Sequence, residues 1–483
     1  MRRKLRWYDL ITVNIFYFAL TTRSQTLAII VPLLVQEFVG EATKGTALGN
    51  IRLWGLMIAV LFQAVAGILS DRNTARIGRR RPFMLIGAVT EVMVFIAIGV
   101  IAARMEGQTG YWVLFGAYVL SMLSANTGHA AVQGLIPDIV PASKHGLYSG
   151  VKAFFELPAP LIFVSFVISR MVGNDNIWGA LIVLSGVVLV CTVIAMAVPE
   201  KPISKPPYPM DWAPILRLVL MTGAFTAIIL GAGALVNFVN QLTSGLSESL
   251  RLILTAGMGV LGMALAVILG VWASIRISVG EKGDQSNRSF TWWVVNRLAF
   301  LVGSNNISIF AIYFLQERFA DQAGVAVEEI FGRIILFVGL AIFISSIPAG
   351  WLTDKFGRKI LCFFSGVLAT FGTLVLILSV NTGLLYVGSV LIGIAIGFFY
   401  AASWALGTTL VPPKEAGRYL GIQNLAGAGA GAIGAYIGGP IGDSVGFTLL
   451  MGVFGLLFII STLALFGIKE KRMEVGAEGG GVG

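Results

Sequence analysis

Runs of twenty or more apolar residues recur from one end of the chain to the other, and no other feature limits the fold as strongly. Each run is long enough to cross the ~30 Å hydrocarbon layer as a helix rising ~1.5 Å per residue. Burying them all inside a water-soluble domain is excluded. Of the 483 residues 57% are hydrophobic and 12% charged, against about 25% charged in an average soluble domain, so too little polar surface exists to cover such a core. The sequence predicts an all-α polytopic membrane protein.

Fourteen helices are expected, near 9–36, 47–70, 82–103, 111–136, 147–171, 177–198, 214–240, 248–276, 290–317, 327–352, 359–380, 384–410, 418–440 and 445–467. They group as six, two and six. The chain then divides into a first half over 1–198, a cytoplasmic linker over 199–213, an inserted pair with its following loop over 214–288, a second half over 289–468 and a disordered tail over 469–483. Pro202, Pro206, Pro207 and Pro209 mark the linker. Basic residues orient the spans. With both termini cytoplasmic, 25 of the 34 lysines and arginines fall in inner segments and seven in outer ones, leaving Arg23 and Arg297 within spans. That bias follows the positive-inside rule and suits a bilayer, expected to be the plasma membrane. It also accounts for the net charge of +10 without nucleic acid as a partner. The first run continues past Arg23 to about Val35, too long for a signal-peptide core.

Several chemistries drop out. Cys191 and Cys362 lie in different apolar runs and suggest neither a disulfide nor a metal site. His129 and His145 are the only histidines, too few for a zinc cluster. The chain carries no glycine-rich nucleotide loop, so no ATP-driven step is expected. Neither a cofactor nor an enzymatic activity is expected.

Two loops recur. Gly67-Ile-Leu-Ser-Asp71-Arg72 followed by Gly78-Arg79-Arg80-Arg81-Pro82 is matched by Gly350-Trp-Leu-Thr-Asp354-Lys355 followed by Gly357-Arg358-Lys359. Val140-Pro141 and the stretch from Gly146 to Lys152 return 271 residues later as Val411-Pro412 and the stretch from Gly417 to Gln423. Matching loops in matching order describe parallel halves related by an axis along the membrane normal.

These loops resemble the major facilitator superfamily, whose pattern G-x-L-x-D-R/K-x-G-R-R/K stands in both halves, with Asn73 to Arg76 inserted in the first. The resemblance covers nearly the whole chain. It implies the major facilitator fold of two six-helix repeats, here with two extra central helices. The Gly78 to Pro82 ending, with Ile136-Pro137-Asp138 and Pro141, further resembles the glycoside–pentoside–hexuronide and sucrose symporter branch, although the second run lacks the sodium-binding aspartates of melibiose-type members. The family implies a cytoplasmic gate formed by Gly67, Asp71, Arg72, Gly78, Arg79 and Arg80 and by Gly350, Asp354, Gly357, Arg358 and Lys359. Each aspartate can accept hydrogen bonds from a neighbouring helix N-terminus and pair with nearby arginines. The plainer alternative is that the arginines only enforce topology.

Charges at membrane depth are costly and usually face a cavity or a partner. Arg23, Glu91 and Glu156 stand well inside the first, third and fifth runs. The two carboxylates are the candidate proton-coupling groups, Glu156 before Glu91, with Arg23 as the expected partner of Glu156. A fixed ion pair is the alternative. Family placement puts the first, fourth, seventh and tenth core helices around a central cavity. The candidate cavity residues there are Asn14, Tyr17, Thr21 and Arg23; Asn126, His129 and Gln133; Arg297, Ser304, Asn305 and Ser308; and Tyr400, Ser403 and Trp404. Asn126, His129 and Gln133 share one helix face. Interhelical hydrogen bonding is the competing role for each residue.

The expected function is secondary active transport of a small organic solute by a monomer, through alternating access coupled to protons. Symport of a glycoside and export of drugs or lipids are the two directions considered. A non-transporting receptor or assembly factor on the same fold is the reading from another class.

Overall fold

The computed structural model describes residues 6–200, 212–243, 245–280, 288–319, 326–410 and 416–469, and the regular structure there is entirely helical. Most of the proline linker, the loop near 282–287 and nearly all of the expected disordered tail lie outside the described residues.

Helices α1 (Asp9–Val39), α2 (Lys44–Arg72), α3 (Arg81–Arg104) and α4 (Gly107–Gln133) come first, followed by the short α5 (Leu135–Ile139). The next rod is broken into α6 (His145–Glu156), α7 (Pro158–Phe163), a π-helical turn (Val164–Ile168) and α8 (Ser169–Gly173), and α9 (Ile177–Ala195) closes this set. Then come α10 (Ala213–Thr243) and α11 (Glu248–Ser278). The last set is α12 (Arg288–Ile309), α13 (Ala311–Phe319), α14 (Val327–Phe356), α15 (Arg358–Ile377), α16 (Thr382–Leu410), α17 (Ala416–Val445) and α18 (Phe447–Ala464).

Local chemistry explains the interruptions. Pro158 and Pro160 carry no amide hydrogen, and a proline pushes the residue before it out of helical geometry. Leu157 accordingly sits at φ −122° and ψ −80°, so α6 stops at Glu156. The single span expected over 147–171 is therefore a broken rod. Helices α12 and α13 meet at a 53° bend around Phe310. In both repeated loops a glycine takes positive φ, Gly78 at 122° and Gly357 at 97°. Side chains avoid that region, which is why glycine stands there in the motif.

Among the described residues, eleven helices are long and apolar enough to cross a membrane, or up to twelve when the bent α12–α13 pair counts as one span. The expected fourteen are not supported. Helices α4 and α17 have comparable length, but α4 carries Ser121, Ser124, Asn126, His129 and Gln133, and α17 is rich in glycine, so both fall short in apolar character.

One end of the bundle carries the arginine- and lysine-rich loops after α2 and α14; it is the basic end, and the other the far end. Small residues let α2 and α17 approach closely toward the far end. A Cβ on Gly45 would stand 2.5 Å from the Gly439 carbonyl, and one on Gly49 would meet the Ala435 backbone. Helices α10 and α11 pack against α17, with Gly233 under Tyr436 and Gly259 under Ile441. Their outward faces, including Ile253, Leu261, Ile268 and Trp272, are exposed apolar surface suited to lipid.

Candidate functional site

A buried polar cluster joins α1, α3 and α4. Arg23 Nε donates to Glu91 Oε1 at 2.7 Å, and the two residues are 6% and 3% exposed. Arg23 also donates to Ser121 Oγ at 2.5 Å, while the Ser121 and Ser124 hydroxyls bond the Glu91 carboxylate. A buried pair of this kind needs every lone pair satisfied to offset desolvation, and the two serines do that here. The adjoining cleft is about 20 Å³, room for one water molecule and not for a solute. Arg23 thus pairs with Glu91, correcting the expected pairing with Glu156.

Glu156 lies elsewhere. It ends α6 with its side chain 39% exposed, 3.4 Å from Lys152 Nζ one turn earlier. The Lys152 ammonium also sits 4.6 Å from the Tyr17 ring centroid, a cation–π contact from α6 to α1. Tyr17 stacks edge-on against His129, with ring centroids 6.3 Å apart. His129 is bonded in turn to Gln133, at 3.0 Å, and to Gln63 on α2, at 3.4 Å. These contacts string Gln63, Tyr17, His129, Gln133, Lys152 and Glu156 across α1, α2, α4 and α6.

Other candidates are spent within their own helices. The Asn14 amide donates to Leu10 O and the Asn126 amide to Met122 O, each one turn back. Neither of these bonds reaches a neighbouring helix. Thr21 is half-buried on α1. On α12, Arg297 donates from Nη1 to Ser403 Oγ at 3.3 Å and lies 5.8 Å from the Tyr400 ring centroid. Trp293 donates to the Ser403 carbonyl at 2.9 Å, fixing α12 against α16. Ser304 is buried, whereas Asn305, Ser308, Tyr400 and Trp404 keep accessible surface.

The expected gate residues gather at the basic end within the first set of helices. Arg80 bonds Asp71 Oδ1 at 2.7 Å and Asp138 Oδ2 at 2.5 Å, and Arg79 bonds the same Asp138 oxygen. Burial alone pushes the Asp138 carboxyl up, but the hydrogen bonds and charges of Arg79 and Arg80 outweigh it and hold the group below the usual carboxylate range. The N-terminus of α3 is capped by Glu200, which accepts from the Arg80 amide at 2.8 Å, and not by the aspartate of the motif. Gly67 lends its carbonyl to Ser70 Oγ, and Arg72 joins no ion pair among the described residues. In the second copy Asp354 is exposed, Gly350 has open space beside it, Arg358 is half-buried and Lys359 donates to the Ile468 carbonyl at 2.9 Å.

Among the described residues, the hydrogen bonds between the first and last helix sets stand at the far end. Asp443 on α17 accepts from the Gly45 amide, the Thr46 amide and the Thr46 hydroxyl, each at 2.7 Å, so it caps α2 across the seam. Tyr313 on α13 donates to Pro32 O at 2.8 Å, and Lys44 reaches Gln316 at 3.4 Å. Among the described residues, hydrogen bonds join the two sets at the far end and none joins them at the basic end.

Sequence reasoning missed Gln63, Lys152, Ser121, Ser124, Asp443 and Glu200 as site residues. Gln63 had a usable signal, as a lone amide in an apolar run. Asp443 had none, because its partners are two backbone amides and a hydroxyl almost four hundred residues away.

The comparisons with known proteins concern the whole bundle. The Major Facilitator Superfamily model matches residues 13–303 and again 292–481. The purine ribonucleoside efflux pump of Escherichia coli is 26% identical over 178 residues, 36% of this chain and 45% of that protein. The minor myo-inositol transporter of Bacillus subtilis is 28% identical over 120 residues, 25% of this chain and 27% of that protein. The chain thus spans less than half the length of the curated relatives it matches. Among solved structures, a nucleoside transporter superposes with a TM-score of 0.65 at 12% identity, covering 95% of this chain and 99% of that one. A mutant of the peptide transporter POT gives 0.68 at 16% identity, covering 94% and 93%. These two likenesses concern the fold. With a family match across nearly its whole length and a bundle of eleven to twelve spans, the chain belongs to the Major Facilitator Superfamily, a family of membrane transporters and not of enzymes.

Proposed function

We propose that this chain carries a small organic solute across the membrane by alternating access, rocking the α1–α9 set against the α12–α18 set, with proton movement as the driving coupling. The observation that carries the reading is the asymmetry of the seam: carboxylate, hydroxyl and amide bonds join the sets at the far end, and none joins them at the basic end among the described residues. A carrier caught with one mouth shut and the other open has this distribution of contacts. Under the positive-inside rule the basic end is cytoplasmic, so the conformation is inward-facing. The linked residues from Gln63 to Glu156 then line the inner mouth, and the Asp71, Arg80 and Asp138 cluster is the part of the gate waiting for its partner.

The size class of solute is supported by the curated relatives, one a ribonucleoside pump and the other an inositol transporter. Both names point to compact polar solutes. We favour a solute of that size over a drug or lipid; a glycoside symporter remains within this reading. Glu156 is the preferred proton site, because it is accessible, sits at a helix break and faces Lys152. Reconstituted protein with a pH gradient tests this: a polar solute of ribonucleoside or inositol size should accumulate, and the accumulation should collapse on adding a protonophore. Exchange that ignores the gradient removes the coupling and leaves the carrier.

A further inference from the structure

Arg23 and Arg297 are the two arginines deep in the first helix of each set, and the structure treats them differently. Arg23 is neutralised by Glu91 at 2.7 Å. Arg297 is 7% exposed, its Nε has no hydrogen-bond partner, and its bond to Ser403 Oγ is the only one it makes among the described residues. No carboxylate pairs with it there. Guanidinium stays charged in any protein setting, so a buried cation stands without a counter-charge, an arrangement that is costly unless a partner comes from outside.

The surroundings say where that partner would enter. Between Trp293 and Ile309 on α12, only Asn305 and Ser308 are not buried. Arg297, Ser304 and Ser308 fall on one face of that helix at i, i+7 and i+11. Over this stretch the open strip of α12 is its polar strip, which suits an aqueous cavity and not lipid. Tyr400 closes the other side, 43% exposed although its ring centroid is 5.8 Å from the buried guanidinium. Trp293 flanks Arg297 at 6.0 Å. Beside two aromatic neighbours and one weak hydroxyl contact at Nη1, the Nε–Nη2 edge of the guanidinium has no hydrogen-bond partner among the described residues, and two parallel hydrogen bonds would satisfy it.

We infer that Arg297 is the recognition point for an anionic group on the solute, a carboxylate or a phosphate monoester, held bidentately beside Tyr400. The inference rests on the reading of this chain as a carrier and narrows its solute to a small organic anion.

Matched pairs test it: glucose against glucuronate, and a nucleoside against its monophosphate, each added to the purified full chain in thermal-shift measurements and to liposomes in exchange assays. In the wild type the anionic member of at least one pair should stabilise the protein and exchange, and its neutral partner should do neither at the same concentration. Arg297→Gln should weaken that anion by about thirtyfold or more, and Arg297→Lys, which keeps the charge but loses the fork, should fall between. The pairwise comparison in wild-type protein holds even if a variant misfolds. Stabilisation by neutral members alone, or anion binding untouched in folded Arg297→Gln, overturns the inference and leaves the carrier intact. If no solute of either kind binds or exchanges in folded protein, both the inference and the carrier reading fall.

Discussion

Around the Arg23–Glu91 pair, at 2.7 Å and shielded from water, a charge left alone has no solvent to turn to. Glu91→Gln should cost about 3–5 kcal/mol, since it strands a buried guanidinium, whereas Arg23→Met combined with Glu91→Leu should recover most of that loss. Equilibrium unfolding in detergent measures both. Glu156 should behave differently. Glu156→Gln is expected to preserve solute exchange and abolish accumulation under a pH gradient, with little change in melting temperature because the side chain is half-exposed. Vesicles of this variant that still concentrate solute would move the coupling to another carboxylate. Asp138 offers a pH test of the basic-end cluster. Its folded value lies below the usual one near 4, so its stabilising effect is complete above that value and is lost as pH falls through the depressed one. Thermal stability should drop at that acid limit, and Asp138→Asn should remove the drop.

Among elements, α2 and α17 make the seam that holds the far end shut. Asp443 caps α2 with three hydrogen bonds at 2.7 Å, and Asp443→Asn keeps the shape while weakening charge-assisted bonds of about 1.5–3 kcal/mol. The population should shift toward a far-end-open form. Spin labels on Glu41 and Ser444 should then report a longer distance than in wild type; an unchanged distribution would show that glycine packing alone closes the seam. The rod from α6 to α8 shows how much of an element was legible in advance. One unbroken helix was expected there although Pro158 and Pro160 stand in the sequence, and the π turn at Val164–Ile168 had no sequence signal, because backbone register inside a helix responds to packing by neighbours and not to residue type.

For the whole molecule, orientation is open to a direct check. Ser247→Cys should be labelled by an impermeant reagent from outside intact cells and Thr74→Cys should not; the reverse pattern would invert the proposed topology. The family, the helical architecture and the two matching loops could be read from the residues alone, because hydrophobic run length, basic-loop bias and glycines at positive φ are local properties that each stretch of chain carries with it. Span number was overestimated at α4 and α17, where polar and glycine residues serve neighbouring helices and not lipid. Which charge meets which was decided only by tertiary structure. Arg23 lay at a depth compatible with either Glu91 or Glu156, and the crossing of α1 with α3 and α4 brought Glu91 and two serines to it. Ion pairing depends on a few ångströms between segments far apart in the chain, and only the packed bundle sets that distance.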